Sequence, residues 1–533
     1  MAGSIPRMIP TDASPTVTCR SASTARRESQ IRDRDHCHRS RPFHHRLNSR
    51  DWIKRQKQPS NRRWTPVGMR LQYGLLNLGS RGQRLVMVAT ARLCALISAL
   101  SAAFCLAGCG GGGGGTGTTT PPPVITYSER QLYSFGQAPD GNYPGASMVF
   151  DALGNLYGTT PYGGTYGGGT VFKLTPKGGQ WTETVLYNFC PAQGCPDGAQ
   201  PSSSLVFDSA GNLYGTASQG GAYAGSPVTG AGIGVVFELT PQQDGTWAET
   251  VLHSFGSGTD GKAPMAGLVF DKSGNLYGTT YQGGTGPQCL VGCGTVFELS
   301  PGSNGWTENV LYNFCSQIGC TDGENPTGGV IVDAAGNLYG TTPGGGLSQT
   351  LGIVFELIPG TNGQFTESVL YEFQGGDSDG YSPVGALVQD GSGNLYGATE
   401  FGYSYVFPPS LNNGTVFKLT RGPNNQWSES IVHGLCAQAG CADGSIPSAG
   451  VILDNAGNLY GTTLDGGTSN WGAVFKLVPQ NDGTWQESTI YSLQGYASGY
   501  SPRGLTLDSS GSMYGVAGGG TSGYGIAFEL TPE

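Results

Sequence analysis

Residues 151–160 read Asp-Ala-Leu-Gly-Asn-Leu-Tyr-Gly-Thr-Thr, and this stretch keeps returning along the chain. Gly-Asn-Leu-Tyr-Gly begins at Gly154, Gly211, Gly274, Gly336, Gly393 and Gly457, and a variant, Gly-Ser-Met-Tyr-Gly, at Gly511. Its tyrosines, Tyr157, Tyr214, Tyr277, Tyr339, Tyr396, Tyr460 and Tyr514, are spaced 57, 63, 62, 57, 64 and 54 residues apart. Repeats of that length signal a propeller or a solenoid. Each copy holds four short runs of β-branched and aromatic residues with Gly, Asn, Asp and Pro between them. In the first copy they are 147–151, 155–160, 170–175 and 181–189. No segment shows a sustained helical period, so the sequence predicts an all-β fold: a seven-bladed β-propeller with four antiparallel strands per blade.

The chain ends argue for a closed ring. The last copy has runs at 504–508, 512–516 and 526–531 and stops at Glu533 without a fourth. Arg130-Gln131-Leu132-Tyr133-Ser134-Phe135 matches the fourth run elsewhere, such as Val185-Leu186-Tyr187-Asn188-Phe189. Lent to the last blade, this N-terminal strand closes the ring without a dangling edge. An open solenoid would instead need capping units. The propeller is expected over 127–533.

Charge divides the chain. Residues 1–108 hold 19 of its 28 Lys and Arg but only 5 of its 37 Asp and Glu, leaving 9 basic against 32 acidic residues beyond. A domain that acidic repels a phosphate backbone, so no nucleic-acid partner is expected for it. Residues 1–68 are polar, Arg- and His-rich and without apolar periodicity, the composition of a disordered segment. Over 69–108 come Arg70, Arg81, Arg84 and Arg92, then the apolar run 93–106, too short to span a bilayer with ease. Basic and apolar regions followed by small residues make a secretory signal. A signal belongs at a chain's start, so Met69 or Met87 is the expected initiator.

Leu106-Ala107-Gly108-Cys109 resembles a bacterial lipoprotein signal. The resemblance implies a diacylglyceryl group on Cys109 as the new N-terminus and, with Gly110 rather than Asp next, an outer-membrane address. Residues 109–126, rich in Gly, Thr and Pro, then read as a tether. The repeated Gly-Asn-Leu-Tyr-Gly-Thr-Thr…Gly-Gly…Gly-Thr-Val-Phe-Lys-Leu resembles the bacterial GloVer tandem-repeat proteins over about 130–533. That implies an envelope or surface location and no particular chemistry. Asp-x-x-Gly-Asn-Leu-Tyr is more loosely similar to hairpins of NHL, two-component-regulator and streptogramin-lyase-like propellers.

The residues that could carry chemistry are few. An Asp precedes every Gly-Asn or Gly-Ser hairpin, at 151, 208, 271, 333, 390, 454 and 508. Each is expected to hold its own turn as an Asx cap. Calcium needs six to eight oxygens, and one Asp per blade is too few. A second series, Asp-Gly-x-x-Pro, starts at Asp140, Asp197, Asp260, Asp322, Asp379 and Asp443 and also reads as a turn. Eight Cys follow the tether in close pairs, Cys190 with Cys195, Cys289 with Cys293, Cys315 with Cys320 and Cys436 with Cys441. In an exported chain these read as disulfides. Zinc would need two pairs brought together, and blades one, three and five, which share one bridged loop, are not neighbours. No metal or other cofactor is therefore expected. His253 and His433 replace the Tyr of the fourth run and read as packing substitutes. Gly376-Asp377-Ser378-Asp379-Gly380 matches a nucleophile elbow, which requires a strand-to-helix turn, yet it overlaps the repeated Asp-Gly turn.

Strand alternation puts the tight hairpins on one face of the ring and the variable loops on the other. The loops between second and third strands are longest in blades two and five, and they carry Tyr223, Phe401, Tyr403, Tyr405 and Phe407. Loops that depart from a scaffold carry function. These aromatics are the candidate binding-face residues, for an unknown glycan or protein ligand, with the membrane met only through the lipid. The expected role is a non-catalytic binding or scaffolding module. The alternative is a polysaccharide lyase or hydrolase, which would gather His, Arg and carboxylates at the central opening.

Overall fold

The computed structural model describes residues 126–533, apart from 224–232, 258, 349, 362, 377–378 and 403–412. The repeat folds as a blade. In blade one Val149–Phe150 is innermost, followed outward by Leu156–Thr160, Thr170–Lys177 and Gln180–Asn188, all antiparallel. Six more blade sheets follow in chain order, with no α-helix among the described residues. The inner strand of blade one has two residues and the outer one nine, which gives the blade its wedge shape.

Within a blade, the Gly after each Tyr admits an aromatic ring. A Cβ at Gly158 would stand 2.6 Å from the Phe172 ring of the next strand, and the same near-contact recurs from Gly215 to Gly515. A register shift at Val171/Phe172, repeated at the matching point of each blade, bends the outer strands. That bend brings Phe189 against Phe237 of the next blade, ring centroids 5.0 Å apart. The core is therefore seven clusters, each shared by two blades: Tyr157, Val171 and Phe189 of blade one pack on Leu205, Leu213, Phe237 and Leu239 of blade two. Each fully buried Phe stabilises the fold by about 1.5–3 kcal/mol.

Ring closure follows the expected route. Tyr127–Ser134 pairs antiparallel with Ile526–Pro532, from Tyr127 opposite Pro532 to Ser134 opposite Ile526. The strand starts three residues earlier than the sequence match, because it pairs with the third strand almost to the C-terminus. Leu132 and Phe135 are buried across the seam with Phe172 and Ala527. Deleting residues 127–134 should lower the melting temperature by roughly 10 °C or more, by exposing the edge of Ile526–Pro532 and emptying this cluster. Calorimetry of the truncated chain checks this, and melting like the full chain would disprove the closure.

Candidate functional site

The two faces of the ring differ in how much of their hydrogen bonding is already committed. On the hairpin face Asp151 Oδ1 accepts from the Leu153 and Asn155 amides, at 2.9 Å each. Its Oδ2 accepts from Asn155 Nδ2 at 2.6 Å and Tyr157 Oη at 3.0 Å. Burial alone would raise the Asp151 carboxyl, but these donors hold it below the ordinary carboxylate range. The pattern recurs at Asp208, Asp271, Asp333, Asp390 and Asp454, and at Asp508 with Ser512 in place of Asn. These carboxylates build turns, as expected.

The Asp-Gly-x-x-Pro series does more than turn the chain. Asp140 accepts from Tyr133 Oη at 3.0 Å, the Gly136 amide at 2.6 Å and the Gly141 amide at 2.7 Å. It thereby ties the outgoing fourth strand to the next blade. His253 and His433 take the tyrosine's part, each with Nε2 3.2 Å from its aspartate, Asp260 or Asp443. They replace a hydrogen-bonding partner as well as packing. Burial lowers the His253 pKa, against the opposing pull of Asp260. Asp379 and Gly380, at the end of the elbow-like motif, lead into the strand Gly380–Gln389 and no helix. Asp377 and Ser378 lie outside the described residues.

Beside each aspartate sits the Glu of a recurring Trp-x-Glu in the fourth strand, with Phe365 in place of Trp before Glu367. Burial, with Asp140 adding repulsion, pushes Glu183 up to about 7. Glu249, Glu308, Glu367 and Glu429 rise to about 7 in the same way, beside Asp197, Asp260, Asp322 and Asp379. In all five the Oε1 atom is buried without a protein partner. Each glutamate is wedged between blades, remote from the central opening.

All seven blades line that opening, a cavity of about 460 Å³. Its described lining is Gly, Ala, Ser, Thr, Met and aliphatic residues, such as Ser147, Ser203, Gly267, Thr327, Ala386 and Ala449, without a titratable side chain. The convergence that the enzyme alternative required is missing from it.

The variable face is braced by four disulfides: Cys190–Cys195, Cys289–Cys293, Cys315–Cys320 and Cys436–Cys441. One expectation needs correcting. Two pairs do come together, with the sulfurs of Cys289, Cys293, Cys315 and Cys320 and a Glu324 oxygen all within 4.8 Å. They meet because a blade's second-to-third loop and its outgoing loop share one face. All four sulfurs are in bridges, so none is the thiolate that zinc takes.

Of the candidate contacts, Tyr223 is half exposed and Phe401 lies in Leu395–Gly402, its ring 5.3 Å from Tyr381. Tyr403, Tyr405, Phe407 and Cys109 are outside the described residues. The structure adds a group the sequence reading missed. Tyr143 packs edge-on against Tyr162 and Tyr524, centroids 6.4 and 6.2 Å away, while Trp471, Tyr496 and Tyr500 cluster at 5.1–5.9 Å. A signal was present: Trp471 is the one Trp of the repeats outside Trp-x-Glu, and Tyr496 and Tyr500 sit where the Asp-Gly-x-x-Pro series loses its Asp.

Together these features define a disulfide-braced seven-bladed propeller with one uniform face and one variable face. The chain belongs to the Gloeobacter/Verrucomicrobia repeat family, whose model matches residues 107–285, 228–433 and 410–533. No curated protein matches it. Among solved structures it is similar to a gluconolactonase from Xanthomonas campestris, at 11% identity and TM-score 0.36, over 76% of this chain and 90% of that one. A second, assigned as a gluconolactonase, shares 13% identity at TM-score 0.31, over 56% and 84%. Neither likeness is close enough to carry an argument about activity. The disulfides mark an exported protein in oxidising surroundings. Among the described residues, no helix is long and apolar enough to cross a membrane.

The glutamates predict a pH dependence. Their folded pKa of about 7 lies above the ordinary 4.5, so between those values the native state binds more protons than the unfolded chain. Stability should therefore fall as pH rises from about 4.5 to about 7, with melting roughly 5 °C lower at pH 8 than at pH 5. Replacing Glu183, Glu249, Glu308, Glu367 and Glu429 with Gln should flatten that slope. An unchanged slope would place the titration elsewhere.

Proposed function

We propose that this chain is an exported propeller, anchored to the outer membrane through a lipid on Cys109, that binds a glycan or protein on its variable face without transforming it. The contrast between the faces carries the reading. The hairpin face spends its carboxylates, amides and tyrosine hydroxyls on seven near-identical turns. The variable face holds disulfide-braced loops and exposed rings, including Tyr223, Tyr143 and Trp471. Bracing reduces the ordering penalty of binding, and Tyr and Trp are favoured at binding centres. Phe401, Tyr403, Tyr405 and Phe407 of blade five are further candidate contacts. Against an enzyme stands the uncharged lining of the central opening. The Asp-Gly-x-x-Pro aspartates of the variable face are also committed to blade junctions, as Asp140 is to Tyr133, Gly136 and Gly141.

The anchor and the role are tested together. Cys109→Ser should move the protein from the membrane to the soluble fraction. That soluble protein should retain a ligand on a glycan and protein array and return it chemically unchanged. Membrane retention of the variant would defeat the anchor, and a changed ligand would defeat the non-catalytic role.

A further inference from the structure

The aromatic group on blades six, seven and one is a continuous surface across the ring's seam. Tyr143 comes from the loop entering blade one, Tyr162 from blade one's second-to-third loop and Tyr524 from the same loop of blade seven. Trp471 comes from that loop of blade six, and Tyr496 and Tyr500 from the passage into blade seven. Backbone bonds hold the segments of each trio, and one runs between the trios, from the Tyr524 loop to Tyr496. The Tyr143 amide donates to the Tyr524 carbonyl at 2.6 Å, the Gly520 amide to the Tyr496 carbonyl at 2.6 Å, and the Ser501 amide to the Trp471 carbonyl at 2.8 Å. A Cβ at Gly518 would stand 2.6 Å from the Tyr500 ring, so the glycine lets that ring lie flat on blade seven. Tyr143, Tyr162, Trp471 and Tyr496 are 44, 47, 38 and 65% exposed, high values for rings held by edge-to-face partners. Edge-to-face packing adds about 0.5–1.5 kcal/mol per pair, so the rings are fixed before a ligand arrives.

The chemistry around the rings selects the occupant. Loops 135–146, 161–169, 464–472, 493–503 and 517–525 carry only Asp140, Asp465 and Arg503 as charged residues. Asp140 is consumed by Tyr133 and two amides. The rest of the polar surface is hydroxyl and amide, including Ser469 and Gln494, joined at 2.9 Å. A polyanion meets a domain with 32 acidic and 9 basic residues beyond residue 108, and is repelled. A charged protein or peptide finds almost nothing to pair with. A neutral sugar offers apolar ring faces for the aromatics and hydroxyls for the neutral polar groups.

We propose that Tyr143, Tyr162, Tyr524, Trp471, Tyr496 and Tyr500 form a platform for an uncharged polysaccharide chain. This deepens, and rests on, the variable-face binding role.

The test is affinity electrophoresis of the exported protein in gels containing a neutral β-glucan, xylan, mannan or starch, against a polygalacturonate gel. At least one neutral polymer should retard the protein, and polygalacturonate should not. Trp471→Ala with Tyr496→Ala should weaken the retardation at least about tenfold, the size of losing one good contact of about 1.4 kcal/mol. Tyr496→Ala alone, at the most exposed ring, should weaken it in part while leaving the melting temperature unchanged, which separates lost contact from unfolding. No retardation by any neutral polymer, or retardation by polygalacturonate alone, overturns the proposal. Retardation that survives the platform changes but is lost with Tyr223→Ala overturns the platform and leaves the variable-face reading standing. Loss only with Leu153→Asp, an exposed hairpin position, overturns both.

Discussion

The ring depends on a junction made seven times, at the residue before the Pro of Asp-Gly-x-x-Pro or, entering blade seven, of Ser498-Gly-x-x-Pro. Tyr143, Gln200, Ala263, Asn325, Ser382, Ile446 and Ser501 all sit there with positive φ, between 47 and 60°. That is a costly conformation for residues with a Cβ, and one that proline's neighbour normally avoids. At every station the amide so presented donates to a carbonyl in the preceding blade's second-to-third loop: Gln200 to Gly168, Asn325 to Cys293, Ser382 to Leu351, Ile446 to Asn413. The Pro that follows lies on the glycine before that blade's third strand. A Cβ at Gly169 would come 2.7 Å from Pro201 Cδ, and one at Gly472 2.6 Å from Pro502 Cδ. Six recurrent features, namely Asp, Gly, Pro, the fourth-strand Tyr or His, the Trp-x-Glu carboxyl and the glycine before Val-Phe, thus meet at one contact between neighbouring blades.

A junction of this kind shapes both faces. It lies on the variable side, where it anchors the base of each loop and leaves the tip free to differ. On the opposite side the Asp-capped hairpins need nothing from their neighbours' loops and have no freedom to vary. Toward the axis, hydroxyls complete the connection: Thr159 Oγ1 donates to the Ser203 carbonyl at 2.8 Å and Thr279 Oγ1 to the Gly328 carbonyl at 3.0 Å. The inner segments must be small to approach so closely, and the opening is accordingly lined mainly with Gly, Ala, Ser and aliphatic residues. The same closeness confines each Glu between blades, where burial first, and then repulsion from its neighbouring Asp, keeps it protonated to a higher pH than in water.

Much of this was legible because repetition turns a weak local signal into a strong one. Blade number, strand order, the disulfide pairs and closure by the N-terminal strand all follow from spacing and from the missing fourth run after Ile526–Pro532. The glutamates recur too regularly for spacing to single any of them out, and that regularity is what a contact repeated at every junction produces. The junction itself was hidden, since Asp-Gly-x-x-Pro has the same letters whether it turns within a blade or clasps two. The meeting of Cys289 and Cys293 with Cys315 and Cys320 was hidden for a related reason. Adjacency of loops on a face depends on strand direction, and residue spacing alone does not report it.

The aromatic platform shows where such a scaffold has freedom to acquire function. Loop length directed attention to blades two and five, but length measures only how far a loop departs from the repeat. Trp471 and Tyr496 belong to loops of ordinary length, and they depart in composition instead. The seam is also where the repeat itself breaks. Blade seven has no Asp-Gly-x-x-Pro aspartate, so Tyr491 hydrogen-bonds Glu129 directly, and burial first, then that carboxylate, raises the hydroxyl to about 12. Without the aspartate, the passage into blade seven is no longer obliged to build the buried turn found at the other six junctions. Tyr496 and Tyr500 occupy the segment so released, beside Trp471 of the preceding blade. A binding surface at the seam thus needs no loop insertion, only the one junction whose carboxylate the fold does without.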